Sequence, residues 1–234
     1  MENSEKLGAK KDNPNVEQEN LGNKTNNFFK KYQNVIYGVV IGIIVLIGLI
    51  WALKRFYIQP QNEKASAAMV QPIEYFMRGD SASLVIALEG NDEIDGFLTI
   101  ASDYGITRTA NTANYYAGLS YLKLGDKESA LEYLQKFSKK ENILWYHAQS
   151  VIGDIYLEMQ DEAKALDYYK KAVKSEDPYF APIDLFKLAQ YYEIQNDWDK
   201  AYDTYKTIES DYYDQYVQMG VDKFLERAKI NAGK

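Results

Sequence analysis

His147 is the one imidazole in the sequence, and it stands near a hydroxyl and a carboxylate, with Ser150 three residues on and Asp154 four beyond that. Ser, His and Asp are the parts of an acyl-transfer triad, in which the ring takes the serine proton and the carboxylate holds the ring. The spacing argues against it. On a helix the three fall along one element, whereas a triad is assembled from separate elements and needs an oxyanion hole. No G-x-S-x-G elbow is present either. The acidic run Glu89, Asp92, Glu93 and Asp95 lacks the alternating ligands, central Gly and distal Glu of a calcium loop, and reads as a solvated segment before the next helix. There is no cysteine, which excludes disulfides, thiolate metal sites and thiol nucleophiles. A net charge of −7 and a pI near 4.9 run against nucleic acid, and no P-loop or G-x-G-x-x-G occurs. The expectation is a protein that is not an enzyme, with no cofactor, metal, small-molecule substrate or nucleic-acid partner.

The elements that carry these residues are of two kinds. Between Lys31 and Lys54 lie 22 residues without a formal charge, mostly Ile, Val, Leu and Gly. At 1.5 Å per residue they span the roughly 30 Å hydrocarbon core of a bilayer. Tyr32 and Tyr37 stand near one end and Trp51, Phe56 and Tyr57 near the other, as aromatic residues do at the two membrane interfaces. The run is too long for the apolar core of a signal peptide. The expected division is a disordered tail over 1–31, a transmembrane helix over 32–55, a linker with degenerate helices over 56–110, and helical repeats with a capping helix over 111–234. Gly38 and Gly42 form a GxxxG pair through which a second membrane helix could approach. Flanking basic residues are tied, with Lys24, Lys30 and Lys31 against Lys54, Arg55 and Lys64; Lys6, Lys10 and Lys11 in the tail tip the orientation toward a cytoplasmic N-terminus. Residues 1–55 carry eight basic and five acidic side chains, a net of +3, so the remaining 19 and 29 give −10.

The second kind of element repeats. Ala117-Gly118, Tyr121 and Ala130-Leu131 recur as Ile152-Gly153, Tyr156 and Ala165-Leu166, and again as Leu188-Ala189, Tyr192 and Ala201-Tyr202. The step is 35 residues from Tyr121 to Tyr156 and 36 from Tyr156 to Tyr192. Gly125-Asp126, Gln160-Asp161 and Asn196-Asp197 recur in phase, each pairing a turn-tolerant residue with an Asp able to cap a following helix. Apolar residues between them keep helical spacing. The unit is therefore a helix, a tight turn and a second helix.

These positions resemble the tetratricopeptide repeat family. Its small residue in the first helix corresponds to Gly118, Gly153 and Ala189, its following aromatic to Tyr121, Tyr156 and Tyr192, and its second-helix Ala to Ala130, Ala165 and Ala201. Pro178 stands close to the usual closing proline. The resemblance implies an all-α superhelix of about three clear repeats. Residues 63–77 and 96–104 look like a degenerate N-terminal repeat, with Arg78-Gly79-Asp80 at its turn, and residues 212–229 like a C-terminal capping helix. It also implies a concave partner-binding groove lined by first-helix residues: Tyr115, Leu119, Leu122 and Lys123, then Ser150, Asp154, Leu157 and Glu158, then Phe186, Gln190, Glu193 and Ile194. With Asp154, Glu158 and Glu193 in it, such a groove would repel a C-terminal carboxylate and suit a segment with apolar and basic residues.

The layout as a whole resembles the single-span tetratricopeptide proteins associated with the SecYEG translocon. The segments Gly96-Phe97-Leu98 through Tyr104-Gly105 and Asn114-Tyr115-Tyr116-Ala117-Gly118 look like that subgroup's N-terminal half. The resemblance implies an ancillary, non-catalytic subunit of protein translocation in the inner (cytoplasmic) membrane, N-terminus cytoplasmic and repeat domain periplasmic. Its implied partners are SecYEG, periplasmic chaperones or translocating clients, besides the lipid bilayer. A scaffold for another cell-envelope assembly complex is the alternative.

Overall fold

The structure is a computed structural model that describes residues 14–138 and 143–234, with side chains from residue 30 onward. It divides into two units, residues 1–57 and 58–234. Among the described residues the elements are helical throughout, apart from one isolated bridge between Gly90 and Asp95.

The first unit contains helix α1, Pro14–Leu53. From Val35 to Leu53 its large apolar side chains other than Ile36 are exposed, and it is long and apolar enough to cross a membrane. Length and composition suit a membrane span and equally a signal sequence. Residues 14–31 are helical where their composition points to a disordered tail, while residues 1–13 of that tail lie outside the described residues. The difference has a simple cause: once the apolar segment is helical, each residue added upstream gains a backbone bond without a new nucleus. A π-helical turn, Lys54–Ile58, follows.

The second unit opens with α2, Gln59–Ala68, and α3, Val70–Arg78. They are nearly continuous and break at Met69, because Pro72 lacks an N–H and its ring would clash with the carbonyl four residues back. Gly79, with φ of 77°, ends α3, and Asp80 caps α4, Ser81–Glu89, by accepting from Ser83 N at 2.9 Å. The Gly-Asp turn is thus where the sequence places it, but its second helix is α4 rather than residues 96–104. Those residues form a short extra helix, α5, Phe97–Asp103, packed against the first helix of the repeats. Between α4 and α5 the chain makes a tight reversal: a Cβ on Gly96 would lie 2.3 Å from the Gly90 nitrogen.

Three hairpins follow. They are α6, Arg108–Leu124, with α7, Lys127–Lys136; α8, Leu144–Glu158, with α9, Glu162–Ala172; and α10, Phe180–Ile194, with α11, Trp198–Asp211. The turns are built alike. Gly125, Gln160 and Asn196 all have positive φ, and the next residue, Asp126, Asp161 or Asp197, accepts a bond from the backbone N–H three residues on. Each hairpin leaves an apolar face that only its neighbour can cover, so the buried clusters run from one hairpin into the next. The expected single capping helix is two, α12, Tyr213–Met219, and α13, Asp222–Asn231, because Gly220 takes the left-handed conformation between them. Val221, Leu225 and Ala228 cover Tyr205 and Ile208 of α11 and close the core.

Candidate partner-binding groove

The groove is positioned by the small residues of the repeat. A Cβ on Gly118 would lie 2.6 Å from Leu134 Cγ, and one on Gly153 would lie 2.9 Å from the Tyr169 ring. Leu134, Tyr169 and Tyr205 occupy one repeat position, and Ala189 shares the buried cluster of Tyr205. The second helix of each hairpin therefore lies hard against the first. In the middle hairpin this carries the Tyr169 hydroxyl to Asp154, to which it donates at 2.8 Å. Burial, with the Asp154 carboxylate second, pushes the Tyr169 phenol well above its usual range.

Asp154 also accepts from Lys187 Nζ of α10, which ties the first helices of neighbouring hairpins together. Around this pair lies an open cavity of about 260 Å³, walled by Leu157 on α8, Tyr169 on α9, and Gln190, Tyr191, Glu193 and Ile194 on α10. Five of the twelve expected groove residues, Asp154, Leu157, Gln190, Glu193 and Ile194, meet here. Glu158, which is exposed, pairs with Lys127 at 2.7 Å.

The others are placed differently. Ser150 is fully buried. Tyr115 is buried against Tyr116 and Phe137, which pushes its phenol up. Phe186 packs on Tyr205 and Phe224, and Leu119 and Leu122 are half-buried in the apolar clusters. Lys123 lies 5.3 Å over the Phe76 ring.

Reading the first helices alone also misjudges the charge. Asp154, Glu158 and Glu193 are not bare: Lys187, Lys127 and Arg227 pair with them, the last donating from Nε and Nη2 to the two carboxylate oxygens. The groove is closer to neutral than those carboxylates imply, because the bases arrive from neighbouring helices. Lys187 left a trace in the sequence, as a charge inside the apolar run Leu185-Phe186-Lys187-Leu188. Arg227 sits in the cap, outside the repeat, and no periodic signal marks it.

The residues considered for chemistry do not assemble. His147 Nδ1 lies 3.1 Å from Asp184 Oδ1, and its ring packs 4.7 Å from Phe180. Asp154 is engaged elsewhere, and the buried Ser150 Oγ has no hydrogen-bond partner. In the acidic loop, Asn91 Oδ1 accepts from the backbone N–H of Glu93 and Ile94, and among the described residues no three His, Cys, Asp or Glu side chains could hold a metal ion.

Repeat packing with a groove between first helices defines a class, the helical-repeat interaction modules. Models of the tetratricopeptide repeat match residues 112–141, 146–177 and 185–212, so all three hairpins are tetratricopeptide repeats. A crystal structure of MamA protein superimposes with a TM-score of 0.52 at 16% identity, covering 73% of this chain and 84% of that one. A crystal structure of Podosopora anserina putative kinesin light chain nearly identical TPR-like repeats gives 0.50 at 13% identity, covering 75% and 86%. At such identities the likeness is one of fold. No curated protein matches the sequence. Tetratricopeptide repeats make this chain a protein–protein interaction module.

Proposed function

We propose that the chain is a membrane-anchored interaction module whose groove between α8 and α10 engages a protein segment. The observation that carries it is the pairing of one long apolar helix with a repeat array whose cavity is walled by Leu157, Tyr191 and Ile194. Such a cavity takes apolar side chains of an extended or helical segment, and its paired charges fix orientation at the rim. Within that reading, the layout of tail, span and repeat domain favours an ancillary subunit of the Sec translocation machinery, engaging clients or chaperones on the periplasmic side of the inner membrane. The alternative is a scaffold of another envelope assembly complex, and partner identity separates the two.

The chain lacks cysteine, so Cys introduced at Ser4 and at Lys234 can be labelled from outside with an impermeant thiol reagent. Lys234→Cys should label and Ser4→Cys should not; the reverse pattern overturns the periplasmic assignment. Crosslinking followed by purification in mild detergent should recover SecY. Recovery of a different envelope complex supports the alternative, and recovery of free monomer alone counts against both.

A further inference from the structure

The seam between the second and third hairpins is built unlike the one before it. Between the first and second, Tyr115 and Leu119 of α6 pack with Ala148 and Val151 of α8 in one apolar cluster. The same repeat positions, 35 or 36 residues further on, hold Ser150 and Asp154 on α8 and Asp184 and Lys187 on α10. His147 Nδ1 lies 3.1 Å from Asp184 Oδ1, and Asp154 accepts from Lys187, so two polar rungs join α8 to α10. Ser150 stands between the rungs on α8. It and Asp184 are both fully buried, and among the described residues neither Ser150 Oγ nor Asp184 Oδ2 has a hydrogen-bond partner. Such atoms are costly to keep dry, and water that reaches them removes the cost. The apolar contact between these hairpins comes instead from α9, where Ala165 and Tyr169 pack with Leu188 and Tyr191 of α10.

His147 governs one of the rungs. Its side chain is 17% exposed, its ring lies against Phe180, and histidine is the residue type that changes charge between roughly pH 5 and 8. A charged ring neutralises the Asp184 carboxylate in the interior; a neutral one leaves it a single hydrogen bond. Facing the pair are Tyr115 of α6, whose phenol is raised by burial, by Tyr116 and then by the Asp184 charge, and Asp177, which accepts from the Phe180 N–H at 2.9 Å. Further along the seam stand Asp154 and Lys187, paired with each other, and Tyr169 of α9, which donates to Asp154.

We propose that the second and third hairpins part along this seam, pivoting on the contact between α9 and α10, and that the charge on His147 sets the gap. The seam opens when the ring is neutral and closes when it is protonated. The groove lies across the seam, with Leu157 on the α8 side and Gln190 and Ile194 on the α10 side. Closed, with the His147–Asp184 rung made, it holds about 260 Å³, below the roughly 300–1,000 Å³ of ordinary ligand pockets. Opening therefore gives a partner's backbone room to enter, and acidification expels it. That last step rests on the groove being the binding face; the movement of the seam does not.

The test uses the full chain in mild detergent, with paired spin labels at one repeat position. Glu158→Cys with Ile194→Cys spans the polar seam, and Lys123→Cys with Glu158→Cys spans the apolar one before it. The first pair should show a longer separation at about pH 7.5 that shortens at about pH 5.5, while the second pair stays fixed. His147→Gln should hold the longer separation at either pH. Asp184→Ala, which supplies the residue of the earlier repeats, should hold the shorter one. No response from the first pair, or the same response from both, overturns the proposal, as does a loss of helical circular dichroism between the two pH values. In intact cells, photo-crosslinking from Leu157 should fall several-fold when Asp184→Ala closes the seam. Undiminished adducts overturn the regulation and leave the groove reading standing. No adducts from the chain with Asp184 in place overturn the groove reading, and the label distances still decide the seam.

Discussion

The Tyr169 hydroxyl donates to the Asp154 carboxylate across 2.8 Å, joining the two helices of the middle hairpin at the point where Asp154 also receives Lys187 from the next hairpin. The bond exists because Gly153 lacks the Cβ that would strike the Tyr169 ring. One missing methyl thus sets hairpin packing, the position of a groove carboxylate, and the link between successive hairpins.

Gly118→Ala and Gly153→Ala should both destabilise the fold, despite a gain of about 1 kcal/mol in helix propensity. The added carbon meets Leu134 side-chain and backbone atoms at 2.6–3.0 Å in the first case, and ring carbons at 2.9 Å in the second. Overpacking of this kind costs about 1–3 kcal/mol. Gly118→Ala should be the worse, since backbone moves less readily than a ring. Urea unfolding checks both the sign and the order.

His147 and Asp184 should respond oppositely to removal. Asp184 is fully buried with one carboxylate oxygen unpartnered, at the position held by Ala113 and Ala148 in the earlier repeats. His147→Ala removes the one hydrogen-bond partner of Asp184 Oδ1 among the described residues and should cost about 1–3 kcal/mol, the penalty of a buried polar group left unsatisfied. Asp184→Ala restores the residue of the other repeats and should be neutral or stabilising. Thermal unfolding of the two variants checks the contrast.

The Asp caps of the three repeat hairpins should contribute to the acid limb of stability, together with Asp80 of α4, which Ser83 holds low in the same way. Hydrogen bonds from Ser129 hold the Asp126 carboxyl below its usual value of 3.8, and bonds from Lys164 and Lys200 do the same for Asp161 and Asp197. A carboxyl lowered on folding stabilises the fold above its ordinary value and loses that contribution as pH falls through the folded value. Stability from this source should be level down to about pH 4 and fall below it. Replacing all three by Asn, which caps without titrating, should flatten that fall in a series of acid melts.

Several phenols should stay protonated beyond the ordinary range near 10. Burial raises Tyr115, Tyr169 and Tyr205 far above it, and Asp154 adds to the effect on Tyr169. Their contribution is present below the ordinary phenol value and is lost as pH rises toward the folded value. Ultraviolet titration should show these three ionising only together with unfolding. Asp154→Asn should lower Tyr169 in part, since burial is the larger cause.

The hairpins were legible because each demands a few residues at fixed offsets: Gly or Ala where helices touch, Asp where a second helix begins. Those demands are local and repeat every 35 or 36 residues. The first hairpin was half legible. Its Gly79-Asp80 turn was readable, but α4 has a nearly continuous apolar sequence, Ser-Ala-Ser-Leu-Val-Ile-Ala-Leu-Glu, without the repeat's marker residues. Of the expected groove positions, Asp154, Leu157, Gln190, Glu193 and Ile194 line the cavity between α8 and α10, and its charge pattern was not legible. Lys187 and Arg227 reach its carboxylates from 33 and 34 residues away, and no rule of spacing on one helix predicts such pairs. The break at Gly220 was present in the sequence, yet glycine within an amphipathic run does not say whether it bends a helix or ends it.

The central claim is that the face between α8 and α10 engages protein partners. Photo-crosslinking residues at Leu157 and Ile194, with Lys170 as a control on a second helix, test it in intact cells carrying the full chain. The account predicts adducts from Leu157 and Ile194 that contain a translocon subunit, a chaperone or an exported chain, with none from Lys170. Adducts from Lys170 alone, or equal yields from all three positions, would contradict it.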